Sequence, residues 1–263
     1  MEINVNGKKT HAATGGTDAP DGTPVLVLIH GAGMDGTVWQ LQSRYLAHRG
    51  IRVLALDLPG HGPSEGEALA TVADMADWAA AFMDAAGVEH ASVVGHSMGA
   101  LVTLELAARY PEKASAVGLL GAAAEMPVHP DLIAAAEAGG GLAPELITDW
   151  GFGTIAHTGG HLHPGLWAMG AAERLLRDAK PGVLANDLKA CDAYKDACTA
   201  AAKVEASTAL ISGDEDKMTP VKNAKPLIDA LADVTPTVLR KTGHMMMIER
   251  PREVAKLLLD LAR

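Results

Sequence analysis

The chain has 263 residues, 48% of them hydrophobic and only 3% aromatic, and its formal net charge is -10 at pH 7. This length suits one large α/β domain, with or without an insertion, whose core is filled mainly by aliphatic side chains and methionine. The negative charge argues against broad contact with nucleic acid or with an anionic membrane surface. We therefore expect neither as a partner.

The sequence carries no feature of export or membrane insertion. The first residues lack a basic flank followed by an apolar run, and no apolar stretch approaches the ~20 residues of a membrane span. Cys191 and Cys198 are seven positions apart in a helical pattern. That spacing separates them by about 10 Å along a helix axis, which is too far for a disulfide. We expect a cytoplasmic protein, monomeric or homodimeric, with reduced cysteines.

Short apolar runs alternate with longer helical patterns along the chain. A hairpin is predicted over residues 3–13, and six further runs read as strands: VLVLIH (25–30), RVLALDL (52–58), ASVVGH (91–96), AVGLLG (116–121), TALISG (208–213) and PTVLR (236–240). Runs that are apolar on both faces are typical of a mostly parallel, buried sheet. Helices are predicted at about 37–49, 68–86, 98–109, 221–232 and 251–263, the last beginning at Pro251.

The alternation fails once, between about residue 125 and residue 203. This block contains helical patterns separated by Gly and Pro, and no convincing strand. We interpret residues 126–202 as a helical cap over the edge of the sheet where open α/β folds bind ligands. Residues 1–125 and 203–263 then form the core domain.

The first buried strand is followed by Gly31, Gly33 and Gly36, which spell G-x-G-x-x-G, and Asp57 ends the next apolar run. This spacing also occurs in dinucleotide-binding folds. Here, however, Asp35 would face the pyrophosphate, and nothing downstream provides a nicotinamide site. A dinucleotide site is therefore the less favoured hypothesis.

A second glycine motif carries a nucleophile. Residues 95–99 read G-x-S-x-G around Ser97, directly after a predicted strand and before a predicted helix. In this context the serine lies on a strained turn and projects above the sheet. The helix N-terminus offers the amide of Met98 to a developing oxyanion.

A serine nucleophile needs a histidine base and an acid, in the chain order Ser, Asp or Glu, His. His244 is the downstream histidine that lies outside the predicted cap, in a loop between the last strand and the last helix. For the acid we favour Asp216, which follows the strand TALISG. Asp214 is the second choice and Glu125 the third.

Five motifs now appear in order: HGAG (30–33), DLPGHGPS (57–64), GHSMGA (95–100), GDEDKMTP (213–220) and GHMMMIERP (243–251). Together they resemble the successive motifs of the α/β-hydrolase superfamily. The resemblance implies a mostly parallel eight-stranded sheet with a helical cap after the sixth strand, and the triad Ser97, Asp216 and His244. It also implies an oxyanion hole formed by the amides of Ala32 and Met98, with Gly31 beside the substrate and no cofactor.

Other residues fit a substrate pocket less specifically. Trp150 and Trp167 lie in the predicted cap, and Met245 follows the predicted base, so we expect these three side chains to contact substrate. His157, His161 and His163 cluster in the cap, but they lack the spacing of a zinc site and we predict no metal.

The motifs favour cleavage of a carboxylic ester of a small molecule. Lactone hydrolysis, carbon-carbon bond hydrolysis, aminopeptidase action and perhydrolysis use the same triad and stay open as alternatives. Ser97 argues against haloalkane dehalogenases and epoxide hydrolases, which place an aspartate at that position. A non-catalytic small-molecule receptor on the same scaffold is the alternative from another class.

Overall fold

The strands predicted from the apolar runs all form, and they belong to one sheet. A computed structural model describes residues 1–17, 19–20, 22–161 and 165–263. Its strands are Glu2–Val5 (β1), Lys8–Ala13 (β2), Val25–Ile29 (β3), Arg52–Leu56 (β4), Ala91–His96 (β5), Ala114–Leu120 (β6), Ser207–Gly213 (β7) and Val234–Leu239 (β8). They are arranged as an 8-stranded sheet in the order β1-β2-β4-β3-β5-β6-β7-β8.

The strands from β4 to β8 in this order are parallel, and β2 is the one strand of these eight that runs in the opposite direction, antiparallel to both β1 and β4. Asn6 and Gly7 connect β1 to β2 with positive φ angles of 50° and 79°. A two-residue loop with two positive φ angles matches the right-handed twist of the strands, and Asn-Gly adopts it readily. This turn places β2 next to β4 at the edge of the parallel sheet.

The helices follow the predicted alternation. They are Gln40–Ala47 (α1), Val72–Ala85 (α2), Met98–Arg109 (α3), Pro130–Ala138 (α4), Leu142–Gly151 (α5), Thr154–His157 (α6), Ala168–Arg177 (α7), Val183–Ala193 (α8), Ala197–Ala201 (α9), Lys225–Ala230 (α10), Met246–Glu249 (α11) and Pro251–Leu261 (α12). In the part of the chain that the structure describes, only helices lie between β6 and β7. The boundaries 126–202 for a cap domain stay a prediction.

Both faces of the sheet are covered. Val27 and Ile29 of β3 pack in a cluster with residues of α2 and α3, whereas Leu26 and Leu28 pack in a second cluster with residues of α1 and α12. Successive side chains of a strand point to opposite faces, so this division shows that helices flank the sheet on each side.

Several predicted helix boundaries differ from the structure, two of them at helix starts where a side chain caps the first turn. The helix expected from residue 68 begins at Val72, because the Thr71 side chain accepts a hydrogen bond from the Asp74 amide and caps the first turn. The helix expected over 37–49 starts as a 3-10 turn at Gly36–Trp39, with Asp35 as its cap. Cys191 and Cys198, placed in one helical pattern by the sequence, lie in different helices and are free thiols.

The described residues include no helix with the length and hydropathy needed to cross a membrane.

Candidate active site

Ser97 lies on a strained turn at the carboxyl end of β5. Its backbone has φ 54° and ψ -118°, and its amide donates to the carbonyl of Leu120 at the end of β6 over 2.9 Å. A non-glycine residue with positive φ costs about 1 to 3 kcal/mol, and it persists only where the surrounding structure holds it in place. The turn from strand to helix fixes Ser97 at the edge where the parallel strands end.

The flanking glycines make this turn possible. A Cβ atom at Gly95 would overlap the carbonyl oxygen of Gly99, and one at Gly99 would overlap the carbonyl oxygens of Ile29 and His30. Helix α3 therefore approaches both β3 and β5 more closely than any side chain allows. The G-x-S-x-G spacing is a packing requirement of the turn.

We expect Gly95→Ala to lower the free energy of unfolding by about 3 kcal/mol or more, because the added methyl group meets backbone atoms that cannot move aside. Urea unfolding measures the change. Gly151→Ala is the matched control, since a Cβ there would have its nearest neighbours at 3.6 and 3.7 Å, in ordinary contact. Equal stability of the two variants would contradict this account of the turn.

His244 and Asp216 form a buried pair in the loops after β8 and β7. His244 Nδ1 lies 2.8 Å from Asp216 Oδ2, and these side chains are 2% and 0% exposed. A carboxylate accepts hydrogen bonds and cannot donate them, so Nδ1 carries the proton and Nε2 presents its lone pair. Among the described residues His244 Nε2 has no hydrogen-bond partner, although it is buried. The imidazole is therefore held in the tautomer that a general base requires.

The environment of Asp216 stabilises its ionised form. Burial raises the pKa of this carboxyl, but His244 and the hydrogen bonds from Thr219 outweigh burial and bring the pKa below its ordinary value. The amides of Met218 and Thr219 donate to Oδ1 over 2.9 and 2.8 Å, and the Thr219 hydroxyl donates to Oδ2 over 2.8 Å. Thr219 is a residue of the site that the sequence patterns did not predict.

The other candidate acids point elsewhere. Asp214 accepts from the Thr242 amide and pairs with Arg240, whose side chain is 89% exposed. Glu125 lies 4.0 Å from Lys195 at the surface.

The structure places the histidine close to the serine turn. Gly121 follows Leu120, the partner of the Ser97 amide, and a Cβ at Gly121 would lie 2.9 Å from Cε1 of His244. His96 also links the two segments, because its Nε2 lies 3.0 Å from the His244 carbonyl oxygen. Burial, with the nearby His244, lowers the pKa of His96 to about 3, so its ring is neutral and donates this bond. The Ser97 hydroxyl and His244 Nε2 form no hydrogen bond in this structure, and such bonds often tighten only when substrate binds.

The predicted oxyanion donors border the same turn. A Cβ at Gly31 would lie 3.4 Å from the Cβ of Ser97, so the loop after β3 passes directly beside the serine. The amides of Ala32, in that loop, and of Met98, in the first turn of α3, have no acceptor among the described residues. Asp57, which the dinucleotide hypothesis would assign to a ribose, accepts instead from the Gly36 amide over 2.6 Å.

The three side chains predicted to contact substrate differ in how far they are buried. Met245 is buried in the second core cluster, and Trp150 packs against that cluster while partly exposed. Trp167 is 75% exposed and its ring contacts Gly170 of α7, and its contact with substrate stays a prediction.

Two of the three clustered histidines between β6 and β7 contact backbone carbonyls. His157 lies 3.2 Å from the Phe152 carbonyl and His161 lies 3.0 Å from the Ile248 carbonyl, while His163 lies outside the described residues. No group of His, Cys, Asp or Glu side chains in the described ranges is arranged to hold a metal ion.

Glu249 joins the histidine loop to the segment after α5. Its two carboxylate oxygens accept from the amides of Gly243 and Gly153, each over 2.9 Å. Burial raises the pKa of Glu249 to about 7, because it outweighs the effect of these two amides. Sequence periodicity gave no sign of this contact, which joins residues 96 positions apart.

We expect Glu249 to make the folded state less stable as the pH rises from about 5 to about 8, because its folded pKa exceeds its ordinary value of 4.5. In that interval the folded protein binds more protons than the unfolded chain, so the free energy of unfolding falls. Relative to Glu249→Gln, the loss amounts to about 3 kcal/mol. Urea unfolding of both proteins at the two pH values measures it, with the exposed Glu253→Gln as control. A wild-type minus Glu249→Gln difference that stays constant would contradict the prediction.

Comparison with known proteins identifies relatives over most of the chain. Residues 26–257 match the model of the alpha/beta hydrolase family. The chain is 30% identical over 260 residues to the pimeloyl-(acyl-carrier protein) methyl ester esterase of Aromatoleum aromaticum, a match covering 91% of this chain and 98% of that protein.

One further similarity is confined to part of the chain, and another covers the whole fold. The dihydrolipoyllysine-residue acetyltransferase component of the acetoin cleaving system of Cupriavidus necator is 44% identical over 100 residues, but the match spans 38% of this chain and only 26% of that relative. Among solved structures, the enol-lactonase from Burkholderia xenovorans LB400 superposes with a TM-score of 0.87 at 24% identity, covering 99% of each chain. The chain therefore shares its fold with this enol-lactonase.

Proposed function

The chain belongs to the alpha/beta hydrolase family, and we propose that it is a serine hydrolase that cleaves carboxylic esters of small molecules through an acyl-enzyme on Ser97. One observation carries the proposal: Asp216 holds His244 in the tautomer whose Nε2 accepts a proton, beside the turn that bears Ser97. The methyl ester esterase similar to this chain along nearly its whole length supports an ester as the substrate.

In the proposed acylation step, the Ser97 oxygen attacks the ester carbonyl carbon while its proton passes to His244 Nε2. Negative charge moves onto the carbonyl oxygen, and the amides of Ala32 and Met98 donate to it. Asp216 stays ionised and stabilises the imidazolium that forms. The tetrahedral intermediate collapses when the alcohol leaves with the proton from Nε2, and the acyl group stays on Ser97.

Deacylation repeats the sequence with water in place of the serine. His244 Nε2 removes a proton from a water molecule, which attacks the acyl carbon, and the carbonyl oxygen again takes the charge. Collapse returns the proton to Ser97 and releases the carboxylic acid. These steps use only side chains and amides of this chain.

The helices between β6 and β7 suit a small substrate. Several of them contribute buried residues to the second core cluster, among them Leu132, Ile147 and Leu176. These helices are therefore packed onto the domain that carries Ser97. We propose that they act as a cap over the reaction centre, which favours a compact ester over a polymer.

Pre-steady-state kinetics test the proposal. Purified protein mixed with p-nitrophenyl esters of graded acyl length should release nitrophenol in turnover, with a burst near one equivalent of enzyme where deacylation is slow. Parallel assays with lactones and amides separate the chemistries that share the triad. A receptor would bind some of these compounds without releasing product, and absence of turnover across the ester series would contradict ester hydrolysis.

A further inference from the structure

A buried ion pair joins helix α8 to the loop that follows β4. His61 Nε2 lies 2.8 Å from Asp187 Oδ2, with the two side chains 1% and 0% exposed, and His61 Nδ1 lies 2.9 Å from the Pro59 carbonyl. Both neighbours only accept hydrogen bonds, so both ring nitrogens carry protons and the ring is an imidazolium. Burial lowers the pKa of His61, but Asp187 and the backbone of Pro59 and Leu58 together outweigh burial and leave the pKa above its ordinary value. A buried charge pair of this kind is costly unless its geometry is well satisfied.

The same carboxylate oxygen also holds the loop that passes Ser97. Asp187 Oδ2 accepts from the Gly33 amide over 2.8 Å, and Gly33 follows Ala32 directly. Leu184, one turn earlier in α8, packs against this loop so closely that a Cβ at Gly33 would lie 2.7 Å from its Cδ1 atom. Helix α8 thus fixes the peptide that follows Ala32.

The peptide that precedes Ala32 is fixed from the other side. His30 Nε2 accepts from the Leu58 amide over 3.2 Å, so His30 Nδ1 carries the proton and donates to the Gly31 carbonyl over 2.9 Å. His30 stacks on His61, with ring centroids 4.7 Å apart. Burial and the nearby His61 hold the pKa of His30 well below its ordinary value, so only His61 of the two is charged.

These contacts set the direction of one N–H group. The Gly31 carbonyl and the Ala32 N–H belong to the same planar trans peptide, so holding the carbonyl fixes the N–H in the opposite direction. A second anchor at the Gly33 amide prevents the next peptide from turning over. The Ala32 N–H therefore depends on both His30 and Asp187 for its orientation.

We propose that Asp187, paired with His61, is a positioning residue that aims the Ala32 amide at the substrate's carbonyl oxygen, so that helix α8 completes the oxyanion hole. This inference rests on the proposed serine hydrolase activity and adds a dependence of the reaction on a helix that carries none of the reacting groups. It assigns a role to residues outside the triad and outside the hole itself.

Asp187→Asn tests it, because the amide preserves the shape of the side chain but removes the charge that pairs with His61. We expect kcat for the best ester to fall on the order of 10- to 100-fold, with KM changed by less than about threefold, because the lost interaction acts in the transition state. Affinity for an alkyl trifluoromethyl ketone, which forms a tetrahedral oxyanion on Ser97, should fall by the same factor as kcat/KM. His61→Asn breaks the same pair and should lower kcat and ketone affinity in the same way. If Asp187→Asn does not fold, the kinetics of His61→Asn test the inference in its place.

Asp192→Asn is the matched control. Asp192 lies in the same helix and accepts from the Val128 amide over 3.0 Å, so it makes a comparable bond away from the Ala32 loop. Its kcat should stay within about twofold of wild type. A purely structural role for Asp187 would lower stability while leaving kcat and ketone affinity of the folded protein unchanged, and that result would overturn the inference. Unchanged Asp187→Asn kinetics with an active wild type refute this inference alone, whereas a wild type that cleaves no ester removes the proposed function as well.

Discussion

Replacing Ser97 with alanine should lower kcat for ester hydrolysis by about 10⁴- to 10⁶-fold while leaving the fold intact. The hydroxyl is the only group at this turn that can form the acyl-enzyme, and His244 has no other nucleophile to activate except water. Because Ser97 is partly exposed and its hydroxyl forms no hydrogen bond among the described residues, its loss should change the free energy of unfolding by less than about 0.5 kcal/mol.

Ser92→Ala provides a matched control in the same strand. Ser92 is a buried serine at the start of β5, at the end of the strand opposite Ser97. Its hydroxyl contacts the carbonyl of Leu261 in α12. Its removal should leave kcat within about twofold, since it lies far from the strand end that bears the site. Ester hydrolysis that survives in purified Ser97→Ala protein would show that another nucleophile does the chemistry.

Asp216→Asn should lower kcat by about 10⁴-fold, for a reason that the hydrogen bonds around the carboxylate make specific. Two backbone amides donate to Oδ1, so the carbonyl oxygen of an asparagine must occupy that position. Its NH₂ group then faces His244 Nδ1 as a donor. The imidazole must change to the other neutral tautomer, in which Nδ1 accepts a hydrogen bond and Nε2 is protonated. Nε2 then has no lone pair to accept the serine proton.

Two further variants show whether the loss belongs to Asp216. Asp214→Asn and Glu125→Gln should keep kcat within about threefold, because these acids contact Arg240 and Lys195 at the surface. The position of the His244 ring protons can be followed by nitrogen NMR, which should report Nδ1 protonated in wild type and Nε2 protonated in Asp216→Asn. Full activity in Asp216→Asn, or a greater loss in Asp214→Asn, would contradict the assignment of the acid.

The sheet and the position of the serine turn could be predicted from the sequence, because each depends on a pattern within a few consecutive residues. Runs such as VLVLI and ASVVGH are apolar on both faces, and that pattern requires helices above and below. The glycines around Ser97 mark a turn that admits no side chain, and Asp216 lies just past the strand end facing the histidine loop.

Contacts between distant segments could not be predicted in this way. Asp187 lies in an amphipathic helix where periodicity only indicates burial, and its bond to Gly33 joins residues 154 positions apart. Glu249 likewise lies in an apolar segment, after three methionines and an isoleucine, whose composition predicts a place in the core. The two backbone amides that its carboxylate binds could not be predicted from that pattern. For Trp167, residue type alone gave no indication of its burial, because the packing of the helices between β6 and β7 determines which residues are covered, and this side chain is 75% exposed.

If Ser97 is the nucleophile that His244 activates, a serine-directed probe must form its covalent adduct on this residue. The protein is incubated with a fluorophosphonate probe, digested, and its labelled peptide sequenced by mass spectrometry. We expect one modified residue, Ser97, with labelling abolished in Ser97→Ala and slowed by at least about 10³-fold in His244→Ala. An adduct on any other residue, or ester hydrolysis that continues in protein with Ser97 fully unmodified after treatment, would contradict the assignment of Ser97 as the nucleophile.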